Sequence, residues 1–138
     1  MFLSRRKVRI ETERLTLRLL THSDHTAWSG LRRASADFLM PWEPKWAEDH
    51  LTRKGFTNRV YWGQRSVAQG SAMPLALIRR EDDRLLGGIT LDNIRRGPAK
   101  AGTLGYWIGG DYARQGYMRE ALLAVVHHAF HVLDLSRL

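Results

Sequence analysis

Between Ile10 and Leu19 the apolar residues Leu15, Leu17 and Leu19 alternate with Arg14, Thr16 and Arg18, a period of two that predicts a half-buried strand. Ser23 or Asp24 can then cap a helix with Trp28, Leu31 and Ala34 turned inward. Pro41 and Pro44 interrupt it, because the residue before a proline is pushed out of the helical region. Near-helical spacing of Leu51, Phe56, Val60 and Val67 predicts a second helix from about Trp46 to Ala68. After Gly70-Ser71 the texture turns to strand. Met73 to Ile78, the polar turn Glu81-Asp82-Asp83-Arg84 and Leu85 to Ile94 read as a hairpin, and the connection Arg95 to Lys100 leads to a further strand from Thr103 to Gly109. The clearest helix runs from Met118 to Leu133. On a 100° wheel Met118, Ala121, Leu122, Val125, Val126, Ala129, Val132 and Leu133 form one apolar stripe, with Glu120, His127, His131 and Asp134 opposite. The order β-α-α-β-β-β-α predicts an α/β (α+β) domain: a mixed, mainly antiparallel sheet with helices on both faces.

A chain of 138 residues implies one domain, 1–138, and 43% hydrophobic with 26% charged residues implies a packed core. The absence of cysteine excludes disulfides, thiol nucleophiles and Cys-type zinc sites. Four of the 22 basic residues are lysine, leaving 18 arginines, and the net charge of +8 favours anionic partners without choosing among them. The basic start, Arg5-Arg6-Lys7, has no apolar run behind it as a signal peptide requires, and Ala121 to Val126 falls far short of the ~20 apolar residues of a membrane span. The expectation is a soluble, cytoplasmic protein with no membrane partner. His127 and His131 have metal-ligand spacing, but position 128 is histidine and no third ligand is evident, so no metal is assigned.

The segment with chemical content is Gly109-Gly110-Asp111-Tyr112-Ala113-Arg114-Gln115-Gly116-Tyr117-Met118-Arg119-Glu120-Ala121, which runs from a strand end into the best helix. Unpaired amides and the macrodipole make a helix start an anion site, Gly116 permits close backbone approach, and Arg114 and Arg119 add charge. A pyrophosphate suits such a site. Neither a Walker loop nor a G-x-G-x-x-G is present.

Arg114 to Ala121 resembles the acetyl-CoA pyrophosphate loop of the GNAT N-acetyltransferases, Gln/Arg-x-x-Gly-x-Gly/Ala before a helix, with departures at Ala113 and Met118. Glu13-Arg14-Leu15-Thr16-Leu17-Arg18, Leu39-Met40-Pro41-Trp42-Glu43-Pro44 and Leu104-Gly105-Tyr106-Trp107-Ile108-Gly109 resemble the branch that acetylates N-termini of ribosomal proteins. The resemblance implies direct transfer of an acetyl group from acetyl-CoA to a primary amine, with a protein N-terminus, such as that of a ribosomal protein, as acceptor. It assigns the pantetheine arm to Tyr106, Trp107 and Ile108, and the phosphates to Arg114, Gln115, Gly116, Tyr117, Met118 and Arg119. Trp42 and Trp46 fall where the family lines its acceptor pocket. Asp92 is the candidate general base, directly or through water.

In the family the helix ending near Leu133 delivers a further strand, whereas only Asp134 to Leu138 follow here. The expectation is therefore a C-terminally incomplete domain lacking the fifth and later strands, whose open edge from Thr103 to Gly109 pairs with a second copy by dimerisation or strand exchange. Two other readings compete: a non-catalytic basic module binding ribosome or nucleic acid, and a CoA-binding pseudoenzyme. The basic residues are dispersed rather than gathered on one face with stacking aromatics, which counts against nucleic acid.

Overall fold

The computed structural model describes residues 8–138, so the Arg5-Arg6-Lys7 cluster lies outside the described residues. Five strands form one sheet in the order of the chain: β1 (Arg9–Glu11), β2 (Leu15–Arg18), β3 (Met73–Arg79), β4 (Arg84–Arg95) and β5 (Ala101–Ile108). Every neighbouring pair is antiparallel. The helices are α1 (His25–Ala34), α2 (Ala36–Leu39), α3 (Arg53–Gln69) and α4 (Tyr117–His131). The architecture is the expected α+β sandwich of one sheet between helices.

The single strand expected from Ile10 to Leu19 is a hairpin. Thr12 closes it: its amide donates to the Leu15 carbonyl at 2.9 Å, and its hydroxyl accepts from the Leu15 amide at 3.0 Å. Glu13 and Arg14 thus lie in a turn, and β1 becomes a short edge strand. The second long helix begins at Arg53 rather than Trp46, because the Thr52 hydroxyl accepts from the Gly55 amide and caps it there. Ala34 is exposed, and it is Arg32 that α1 turns inward beside Trp28. Val132, expected in the α4 stripe, lies beyond the helix and is exposed.

Two hydrophobic layers hold the sheet. On one face Leu15, Leu17, Leu75, Leu77, Ile89 and Leu91 pack against Ala121, Val125 and Ala129 of α4. On the other, Ala76, Ile78 and Leu85 pack against Trp28 of α1 and Phe56 and Val60 of α3. Strand alternation sends Leu104 and Ile108 to the α4 layer and Trp107 to the opposite one. Beyond the last helix Arg137 makes a parallel bridge to Ala101, so the chain pairs with the start of β5 and leaves the edge from Thr103 to Ile108 open among the described residues. No helix among them is long and apolar enough to cross a membrane.

Candidate active site

The open edge of β5 leads straight into the start of α4. The Gly102 amide points away from β4, donating to the Arg137 carbonyl at 3.2 Å, whereas the Gly109 amide points back to the Leu86 carbonyl at 2.8 Å. Alternation therefore turns the backbone groups of Leu104, Tyr106 and Ile108 outward along the open edge. A short 3-10 turn at Gly110–Tyr112 follows, anchored where the Gly110 amide donates to the Ser35 hydroxyl at 3.1 Å.

Arg114 (φ 62°) and Gly116 (φ 83°) are both left-handed, and Gly116 is the N-cap of α4. The first helical bond runs from the Glu120 amide to the Gly116 carbonyl, so the amides of Tyr117, Met118 and Arg119 have no helical partner, and no other group among the described residues accepts from them. Arg114, Gln115, Gly116 and Arg119 are exposed around this helix start. A side chain at position 116 would be strained at that φ and would point at the Arg14 guanidinium, 3.2 Å from the built Cβ.

That guanidinium belongs to a clamp absent from the sequence expectation. Glu120 accepts from the Thr12 hydroxyl, from the Arg14 amide at 2.8 Å and from Arg14 Nε at 2.8 Å. Arg14 also donates to the Gln115 carbonyl at 3.1 Å and lies 4.2 Å from the Tyr117 ring centre. The hairpin turn is thus tied to the loop 101 to 106 residues later. Burial pushes the Glu120 carboxyl up, but the three hydrogen bonds it accepts and the Arg14 charge outweigh this and hold its pKa below the ordinary value.

On the far side of β5 lies an open cleft of about 360 Å³, lined among others by Arg32, Glu43, Trp46, His50, Arg59, Thr90, Tyr106 and Trp107. Its wall is built on Arg32, which is only 5% exposed. The guanidinium makes two bonds to Glu43, at 2.7 and 3.1 Å, and a third to His50 Nε2 at 3.1 Å. It also sits 4.6 Å from the Trp107 ring centre, 4.7 Å from Trp46 and 5.5 Å from Trp28. The Trp46 indole donates to Glu43 at 2.8 Å and completes the box. Gly88 makes room for it, since a Cβ there would come within 2.6 Å of the Trp107 indole nitrogen.

An arginine nitrogen can only donate, so His50 Nε2 accepts and the proton of the neutral ring belongs on Nδ1. Burial, then the charges of Arg32 and Arg59, push His50 down to about 4. An unfolded histidine titrates near 6.5, so on acidification through that value the unfolded chain takes up a proton that folded His50 refuses. Stability is expected to fall as pH drops from about 6.5 towards 4. Urea midpoints of wild type and His50→Gln, compared at about pH 7.5 and about pH 5, should show the smaller acid loss in the variant.

The sequence candidates divide between these places. Tyr106, 60% exposed, and Trp107 border the cleft on the open strand, while Ile108 turns to the α4 layer. Trp46 is in the cleft wall, but Trp42 is 87% exposed on a 3-10 turn and outside it. Asp92 is exposed, opposite Thr103 and two residues beyond Thr90, outside the cleft lining; it accepts from the Asn93 amide at 2.6 Å. The His127 and His131 rings stack at 4.4 Å on the outer side of α4, and no group of three or more potential metal ligands exists among the described residues.

The model of the acetyltransferase (GNAT) domain family matches residues 14–138, and the chain belongs to that family, as a GNAT N-acetyltransferase. It is 31% identical over 132 residues to the ribosomal protein uS5-alanine N-acetyltransferase of Escherichia coli (strain K12), which covers 96% of this chain and 68% of that one. The structure of ribosomal-protein-S5-alanine acetyltransferase from Vibrio fischeri aligns with a TM-score of 0.84 and 26% identity, over 93% of this chain and 70% of that one. Mycobacterium smegmatis RimJ in complex with CoA-disulfide shares the fold with a TM-score of 0.81 at 23% identity, over 94% of this chain and 63% of that one.

Proposed function

We propose that the chain transfers an acetyl group from acetyl-CoA to the N-terminal α-amine of a protein, with a ribosomal protein as the favoured acceptor, in the cytoplasm where the two meet. The observation that carries this reading is the continuity of two sets of backbone donors unpaired among the described residues: the outward groups of Leu104, Tyr106 and Ile108, and the amides of Tyr117, Met118 and Arg119. An extended amide-bearing arm suits the first, and a pyrophosphate suits the second. The residues present fit the cofactor, because the left-handed Gly116 leaves the helix start bare of side chain and Arg114 and Arg119 flank it.

Acetyl-CoA held there supplies a thioester, an acyl group on a thiolate leaving group. The amides of the open β5 edge are donors of the kind that stabilise negative charge developing on an acyl oxygen. The open cleft on the far side of β5, walled by Trp107 and the Arg32 box, is the acceptor's entrance in this reading and holds its approach to one direction. A peptide α-amine titrates near ~8 and is partly neutral at ordinary pH, whereas a lysine at ~10.4 is almost wholly charged, so an α-amine needs little help from a base. Asp92, on the same face as Thr90 and without an ion pair among the described residues, is proposed to receive the proton through water.

Calorimetric titration of acetyl-CoA tests the cradle. An Arg114→Ala, Arg119→Ala double variant should bind about tenfold more weakly, a loss of ~1.4 kcal/mol. Both side chains are exposed, so the fold should be kept, and equal affinity in the two proteins would move the phosphates elsewhere. Mass spectrometry of peptides with free or blocked N-termini then tests the acceptor.

A further inference from the structure

Two guanidinium groups border the cleft beyond Trp107 and share the charge of one carboxylate, Glu43, which among the described residues is hydrogen-bonded to only one of them. Glu43 takes Arg32 in a two-pronged pair, and its remaining contact is the Trp46 indole. Arg59, on α3, lies 4.9 Å from the Trp28 ring centre and makes neither a hydrogen bond nor an ion pair among the described residues. His50, between them, is neutral and already bonded to Arg32. Asp49 borders a neighbouring cleft that Arg59 also lines, yet forms no pair with it. Lys45 adds a third positive charge to the cleft lining. The fold therefore holds an arginine over an indole, beside another cation, with its donors unspent among the described residues.

We propose that Arg59 is a carboxylate-binding subsite of the acceptor cleft, taking an acidic side chain close behind the N-terminus of the acceptor polypeptide. The planar donor fork of arginine matches a carboxylate with two parallel hydrogen bonds, and the cation–π contact with Trp28 restrains the fork before the ligand arrives. The nearby Arg32 charge raises the local potential and strengthens the attraction for an anion. The subsite rests on the reading of this cleft as the acceptor entrance. It adds a preference for acidic N-terminal segments that the amine chemistry itself does not require.

Peptides with an N-terminal alanine and an amidated C-terminus test it, because amidation leaves the side chain as the only carboxylate. Pairs differing as Glu or Gln at the second, third or fourth position are compared by kcat/KM in wild type, Arg59→Gln and Arg59→Glu. Wild type should prefer glutamate at one of these positions by about fivefold to tenfold, the worth of a partly desolvated ion pair, with the difference in KM. The ratio should fall to about one in Arg59→Gln and below one in Arg59→Glu. Raising sodium chloride from about 0.05 to about 0.5 M should shrink the wild-type ratio, a readout that needs no variant to fold. Equal rates for each pair, or a preference that survives Arg59→Gln or high salt, would overturn the subsite while leaving the N-acetyltransferase reading intact. Failure to acetylate any peptide would overturn both.

Discussion

Arg32→Ala is expected to remove about 3–5 kcal/mol of folding stability, the cost of leaving one member of a buried ion pair alone. Arg32 is buried, and Glu43, partly shielded, would be left with the Trp46 indole as its only donor. Trp46 and Trp107 would lose the cation they pack on, while Trp28 keeps Arg59. Because Trp46 is anchored through Glu43, the cleft wall should loosen with the fold, and acceptor KM should rise in whatever fraction remains folded. Urea unfolding followed by tryptophan fluorescence measures the first effect directly. An Arg32→Met, Glu43→Met double variant should recover much of the lost stability, since exchanging a buried pair for apolar groups is often neutral. A loss below about 1 kcal/mol in the single variant would show a solvent-screened pair and a wall held by aromatic packing alone.

Glu120→Ala is the second large effect, at about 2–3 kcal/mol, because three donors lose one acceptor. The Thr12 hydroxyl and the Arg14 amide are left inside a partly buried turn, while the half-exposed Arg14 guanidinium can recover water. The same change removes the carboxylate that orients Arg14 towards the Gln115 carbonyl, so acetyl-CoA affinity is expected to fall about tenfold. Glu120→Gln, which keeps the shape and loses the charge, should lie between. Thermal melting together with calorimetric titration separates the roles: reduced stability with unchanged affinity would make the clamp a structural tie with no influence on the loop.

The contrast between these two groups and the residues legible in the sequence has a physical origin. The sheet order after Gly70 followed from apolar runs parted by polar turns, since β3 and β4 are covered on both faces, and α4 followed to within two residues at its end from its one apolar stripe. The helix start proposed for the phosphates could be picked out as a strand end, a glycine and a long helix, all local in sequence. Glu120 was not, since the wheel correctly put it off the apolar stripe but carries no information about a turn that packs there from more than 100 residues away. Arg32 escaped for a related reason: a charged residue at the end of a helix reads as solvated, and its burial depends on Glu43, Trp46 and Trp107 converging from separate segments. Trp42 and Trp46 lie on chain without a repeating period, so nothing in their spacing says that one faces the cleft and the other the solvent. The β1–β2 hairpin was hidden because three residues are too few to show alternation.

The tie between Arg14 and Glu120 also sets an order of events during folding. Its members are separated by 106 positions, and β3, β4 and β5 are made in between. Bringing such distant residues together carries a loop-closure entropy that the intervening sheet must first offset. A chain emerging from the ribosome can therefore hold its first hairpin and its α3 long before any anion cradle exists. Under the proposed function, acetyl-CoA bound at this helix start would stabilise only the finished fold and would do nothing for the earlier, half-made chain.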